Sequence, residues 1–107
     1  MNHIDTLCTQ AGYDPKSGDT RIAPISQSTT YYYEQAADVA ALFDLAAEGH
    51  MYSRISNPTV EVLEKKMAAL EGGVGALGVA SGQSATLLSV LTITDAGDHI
   101  IAMNNLY

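Results

Sequence analysis

Between Ala76 and Met103 two short, almost wholly apolar runs flank one helical segment, and this arrangement restricts the fold more than any other feature of the chain. Ala76 to Ala80 and His99 to Met103 have the near-continuous apolar character of parallel strands covered on both faces. Ser81-Gly82-Gln83-Ser84 turns into a helix over about residues 84–93, which carries Leu87, Leu88, Leu91 and Ile93. Asp95-Ala96-Gly97-Asp98 supplies the second turn. A strand–helix–strand unit of this kind predicts parallel pairing with a right-handed crossover, hence an α/β fold. Two such strands alone do not make a stable sheet, and their edges stay open. The unit therefore predicts an incomplete part of a larger α/β domain, or an obligate complex with another chain.

Upstream, residues 35–48 predict a helix with Val39, Leu42, Phe43 and Ala46 on one face and Gly49 as its stop. A polar loop, His50 to Ser56, leads to a second helix. Asn57 suits its N-cap and Pro58 its first position, with Glu61 and Glu64 near the positive end of the dipole. Leu63, Met67 and Leu70 form its apolar stripe, Lys65 and Lys66 its wet face, and Gly72-Gly73 its end. Residues 1–34 predict an irregular arm, punctuated by Gly12, Asp14-Pro15, Ser17-Gly18 and Pro24.

An apolar fraction of 47% predicts a chain that buries a real core. The net charge of -7, with only five Lys and Arg, argues against nucleic acid and anionic membrane surfaces as partners. It does not exclude a local phosphate site, because backbone N–H groups and one arginine bind an anion against the net field. One cysteine, Cys8, permits no intrachain disulfide. No apolar run approaches the roughly 20 residues that cross a bilayer, and the first residues lack a signal-peptide pattern. The expectation is a cytoplasmic chain. His3, His50, His99 and Cys8 have no metal-ligand spacing, so no metal site is expected.

Three places could carry chemistry. Ala80-Ser81-Gly82-Gln83-Ser84 leads from a strand's carboxyl end into a helix, where free N–H groups suit a phosphate and Gly82 permits close approach. An ordinary serine-capped turn looks the same, and spacing leaves both readings open. In Tyr52-Ser53-Arg54-Ile55-Ser56-Asn57-Pro58-Thr59, Arg54 and Tyr52 could grip a phosphate. Composition alone makes that segment an exposed arginine before a capped helix. Tyr107, beyond the second apolar run, could stack on a planar cofactor or simply pack.

These motifs occur in a shared order: Y-S-R-I-S-N-P-T, L-E-G-G, A-S-G-Q-S-A, A-G-D-H-I-I and N-N-L-Y, preceded by T-x-x-x-x-A-G-Y and A-P-I-S-Q-S-T-T. In that order the chain resembles the Cys/Met-metabolism family of pyridoxal 5'-phosphate (PLP) enzymes from about Thr6 to Tyr107. Gln83, where the γ-synthases and γ-lyases more usually carry methionine, and Leu42-Phe43 resemble the O-acetylhomoserine sulfhydrylases within that family. The resemblance implies an N-terminal arm and first helix over residues 1–49, making intersubunit contacts. It implies that residues 50–107 begin the large PLP-binding domain of a type I aminotransferase-like fold.

By the same resemblance, the backbone N–H groups of Gly82 and Gln83 would hold the PLP phosphate. Tyr107 would stack on the pyridine ring and carry a proton. Tyr52 and Arg54 would bind the phosphate of a neighbouring subunit's PLP, so that the site is shared across a dimer within a homotetramer. The implied reaction is γ-replacement on O-acetylhomoserine by sulfide or methanethiol, giving homocysteine or methionine plus acetate. A cystathionine γ-synthase, a γ-lyase, or a non-catalytic remnant acting as partner subunit are the alternatives. The family's Schiff-base lysine, the aspartate facing the pyridine nitrogen and the Ser/Thr phosphate contacts lie downstream of the position matching Tyr107. Lys16, Lys65 and Lys66 are not placed to substitute, so the 107 residues alone are expected to be inactive.

Overall fold

The structure is a computed structural model that describes residues 3–107. Four helices follow one another: α1 (Ile4–Gln10), α2 (Ala36–Phe43), α3 (Pro58–Glu71) and α4 (Gly82–Ile93). Among the described residues the only β pairing is an isolated antiparallel bridge between Thr30 and Tyr52.

The helices α3 and α4 form where their punctuation directs. Asn57 caps α3 by accepting the Thr59 N–H, Pro58 follows at the start, and Gly72 ends the helix in the left-handed region at φ 65°. Ser81 caps α4 by accepting the Ser84 N–H, which starts that helix two residues earlier than predicted.

Five expectations are corrected. The arm is not wholly irregular, because α1 forms within it, and Ile4, Leu7, Cys8 and Ala11 carried that helix's spacing. The α2 helix stops at Phe43, and Leu45 turns the chain at φ 56°, well before Gly49. Gly49 instead lets the backbone approach Leu42 and Tyr33; a Cβ there would sit 3.0 Å from each side chain. On α3, Lys66 reaches Cys8 of α1 and Val62 lies against Gly12 just beyond that helix, while Leu63 and Met67 stay exposed. Lys66 is not a wet-face lysine, since its ammonium donates to the Cys8 carbonyl at 3.1 Å.

The fourth correction concerns the two apolar runs around α4. Neither makes a ladder with the other or with any described residue. A strand exists by virtue of its partner's hydrogen bonds. Here the Gly78 N–H is taken instead by the Glu64 carboxylate at 2.7 Å.

Burial follows the same logic. Leu42 is the single buried apolar residue among those described, and the α4 leucines, Val74, Ile101 and Tyr107 are exposed. The radius of gyration is 17.6 Å, against about 13 Å for a compact chain of this length. Apolar composition supplies surface to bury; only a facing surface buries it. The core expected from composition is therefore absent from the described residues. Among the described residues no helix is long and apolar enough to cross a membrane.

Candidate functional site

At the start of α4, Ser81 uses its own groups for the third and fourth N–H donors of the turn. Its Oγ accepts from Ser84 N at 3.1 Å and its carbonyl from Ala85 N at 3.1 Å. The Gly82 and Gln83 N–H groups precede any intrahelical acceptor and have none elsewhere among the described residues. The space beside Gly82 is open, with no atom within 4 Å of where a Cβ would stand. The helices α1, α2 and α3 carry Asp5, Asp38 and Glu61 in their first turns, whereas α4 carries no acid there. The positive end of α4 is thus uncompensated in a chain of net charge -7.

Gln83 and Tyr107 meet at this end. The Gln83 side-chain amide donates to the Tyr107 carbonyl at 2.9 Å, which ties the backbone beyond the last apolar run to the helix start. The Tyr107 ring is exposed.

Tyr52 and Arg54 form a second group. The Arg54 guanidinium lies 5.2 Å from the Tyr52 ring centroid, a cation–π distance. No described carboxylate pairs with Arg54. The loop is held by the Thr30–Tyr52 bridge, by the Ser53 N–H on the Thr29 carbonyl at 2.9 Å, and by a turn onto the Tyr52 carbonyl from Ile55 and Ser56. The sequence-predicted residues therefore fall into two sets, Gly82–Gln83–Tyr107 and Tyr52–Arg54. No hydrogen bond, ion pair or ring contact joins these sets among the described residues.

Sequence reasoning missed what supports the second set. Asn57, the buried polar residue at 9% exposure, is more than a cap. Its Nδ2 reaches Ser53 Oγ at 2.9 Å, the Ser26 carbonyl at 3.1 Å and Tyr31 Oη at 3.2 Å. His50 lies alongside, with Nδ1 3.1 Å from Ser56 Oγ, Nε2 3.4 Å from a Glu61 oxygen and its ring against Tyr31. The hydrogen bond from Lys65, and then the charges of Lys65 and His50, hold the Glu61 carboxyl below its ordinary range despite some burial. The only signal for this cluster was the density of hydroxyls and aromatics from Ser26 to Tyr33.

The chain's lysines are engaged elsewhere: Lys16 with Asp14, Lys65 with Glu61 and Lys66 with the Cys8 carbonyl. A groove of about 800 Å³ between the Gly12–Pro15 turn and Val62, Lys65 and Lys66 contains none of the site residues. Among the described residues no group of three His, Cys, Asp or Glu could hold a metal ion.

The site thus comprises a helix start without acid beside a tethered tyrosine, and a separate arginine loop. The chain belongs to the Cys/Met metabolism PLP-dependent enzyme family, which it matches over residues 5–107. It is 47% identical to an O-acetyl-L-homoserine sulfhydrylase of Thermus thermophilus over 97% of its own length and 25% of that protein. It is 45% identical to the O-acetyl-L-homoserine sulfhydrylase of Leptospira meyeri over 96% of this chain and 24% of the relative. The chain thus spans about a quarter of the length of these relatives.

Its course superposes with a TM-score of 0.82 on a crystal structure of a putative O-acetylhomoserine (thiol)-lyase from Campylobacter jejuni. The identity is 35%, over 91% of this chain and 23% of that one. That structure carries a pyridoxyl-lysine monophosphate. The expected α/β fold class holds on this likeness, although the described residues form no sheet of their own.

Proposed function

We propose that this chain is the N-terminal, cofactor-contacting part of a PLP-dependent sulfhydrylase. The enzyme replaces the γ-substituent of O-acetylhomoserine: acetate leaves the γ-carbon, and sulfide or methanethiol adds to give homocysteine or methionine. PLP, when bound, supplies an electron sink for carbanions on the amino-acid substrate. The observation that carries the reading is the pair of unmatched N–H groups at Gly82 and Gln83, in open space, at a helix start without acid.

In this reading those two N–H groups donate to the cofactor phosphate, aided by the helix dipole. Gln83 fixes the Tyr107 backbone. The Tyr107 ring then covers the pyridine face, and its phenol holds a proton at Oη for transfer. The Tyr52 hydroxyl and the Arg54 guanidinium grip the phosphate of the neighbouring subunit's cofactor, which fits their separation from the first set. Residues 1–49 act as the intersubunit arm and residues 50–107 open the cofactor domain of a cytoplasmic homotetramer. On this reading the 107 residues alone are inactive: their three lysines contact Asp14, Glu61 and the Cys8 carbonyl, and none contacts Gly82, Gln83 or Tyr107 among the described residues.

The test is made on the full-length protein. Gly82→Asp places a carboxylate where the phosphate is to sit, and Arg54→Ala removes the second grip. Each is expected to weaken PLP binding, read by absorbance titration of the apoprotein, by at least about tenfold. Unchanged PLP affinity in both variants sinks the site assignment. Products formed from O-acetylhomoserine with sulfide, with cysteine, and from methionine alone separate a sulfhydrylase from a cystathionine synthase and a γ-lyase.

A further inference from the structure

Asn57 stands at the junction of two tasks. Its Oδ1 accepts the Thr59 N–H at 2.9 Å and so caps α3. That bond fixes the amide's orientation, because only Nδ2 can then face the opposite way. Facing it are three acceptors from segments far apart in sequence: the Ser26 carbonyl, Tyr31 Oη and Ser53 Oγ. The Ser53 hydroxyl in turn donates to the Ser28 carbonyl, and Tyr31 Oη lies 3.3 Å from Ser53 Oγ. Ser53 sits between Tyr52 and Arg54. The residue that ties it to α3 therefore sets the height and direction of both neighbours relative to the rest of the fold. No buried side-chain N or O atom among the described residues lacks a partner, and around the buried Asn57 this part-buried network is satisfied and favours one geometry.

We propose that Asn57 is a positioning residue: through Ser53 it holds Tyr52 and Arg54 in the geometry that grips the cofactor phosphate. This rests on the phosphate-binding reading of Tyr52 and Arg54 given above. Asn57 touches neither the cofactor nor the substrate in this account, and its effect is expressed through Arg54.

The two tasks of Asn57 can be separated. Asn57→Asp keeps an oxygen for the Thr59 N–H, and its charge suits the helix start. It has no N–H to offer and turns a carboxylate oxygen toward the Ser26 carbonyl. If Asn57 were only a cap, Asn57→Asp would match the wild type and Asn57→Ala would not. If it positions the loop, both variants weaken PLP binding.

The measurement is PLP affinity of the full-length apoprotein by absorbance titration, for Asn57→Asp, Arg54→Ala and the double variant. The expected result is a rise in the PLP dissociation constant of at least about fivefold for Asn57→Asp, with little further rise when it is added to Arg54→Ala. Wild-type affinity in Asn57→Asp, or full additivity with Arg54→Ala, overturns the proposal. Should Asn57→Asp not fold, Ser53→Ala decides, since it cuts the same tie and leaves the cap intact: weaker PLP binding supports the proposal and unchanged binding overturns it. Unchanged affinity in Arg54→Ala overturns the phosphate reading itself. Weaker binding in Arg54→Ala with wild-type affinity in the Asn57 and Ser53 variants overturns the positioning role alone, and is thus told apart from a failure of that reading.

Discussion

The side-chain amide of Gln83 donates to the backbone carbonyl of Tyr107, 24 residues further along the chain, over 2.9 Å. The bond brings the end of the last apolar run back to the start of α4, so that a phenol and two free backbone N–H groups share one end of the fold. A methionine at this position has no donor to make the tie. Gln83→Met is expected to cost about 0.5–1 kcal/mol in holding Tyr107, as for an exposed neutral hydrogen bond. In the full-length protein this reads as a two- to fivefold weaker PLP affinity. Gln83→Glu, which faces a carbonyl with a carboxylate, is expected to be worse than Gln83→Met.

Ser81 separates stability from anion binding. Ser81→Ala removes the cap of α4 and is expected to lower stability by about 1 kcal/mol, measured by chemical denaturation of the full-length protein. Ser81→Asp restores a capping oxygen and recovers that stability. It also sets a charge beside the Gly82 and Gln83 N–H groups, so PLP binding is expected to fall while the denaturation midpoint does not.

Gly12 and Gly18 share a φ of +95° but not their surroundings. A Cβ on Gly18 meets nothing, whereas one on Gly12 meets the Val62 carbonyl of α3. Gly18→Ala is expected to cost about 1 kcal/mol of backbone strain. Gly12→Ala adds a collision with backbone that cannot yield without separating α1 from α3, and a loss above about 2 kcal/mol is expected. Equal denaturation midpoints for the two variants would contradict this packing.

Glu61 supplies a pH dependence. Its folded-state pKa lies below the ordinary 4.5, chiefly through the hydrogen bond from Lys65. A carboxyl shifted in this direction contributes stability that is fully present above its unfolded pKa and is lost as pH falls through the folded one. The wild type is therefore expected to lose this contribution below about pH 4.5, and Glu61→Gln to lack that part of the acid slope. The effect is small, because the pair is partly exposed and screened. Denaturation midpoints of both proteins across pH 3–6 test it. Parallel curves would show that the Lys65–Glu61 contact has no thermodynamic weight.

Local chemistry made much of this structure legible in the sequence. Asn57-Pro58 and Gly72 bracket α3 as expected, and Ser81 starts α4, because a cap, a proline ring and a left-handed glycine act within one turn. The free N–H groups of Gly82 and Gln83 were legible for the same reason: they follow from helix geometry. The α1 helix was readable too, from Ile4, Leu7, Cys8 and Ala11, and was hidden by the turn residues around it.

What the sequence by itself determined is thus where helices begin and end, which backbone donors are left free, and, through the order of its motifs, the family. Only the tertiary structure decided which groups meet. It turned Asn57 from a cap into a tie between Ser26, Tyr31 and Ser53, joined Gln83 to Tyr107, and set Gly12 and Gly49 against Val62 and Leu42. It also left Ala76–Ala80 and His99–Met103 without ladders. The physical reason is range: caps and turns are settled by neighbours in the chain, while burial, strand pairing and hydrogen bonds across 24 or more residues need a second surface to arrive.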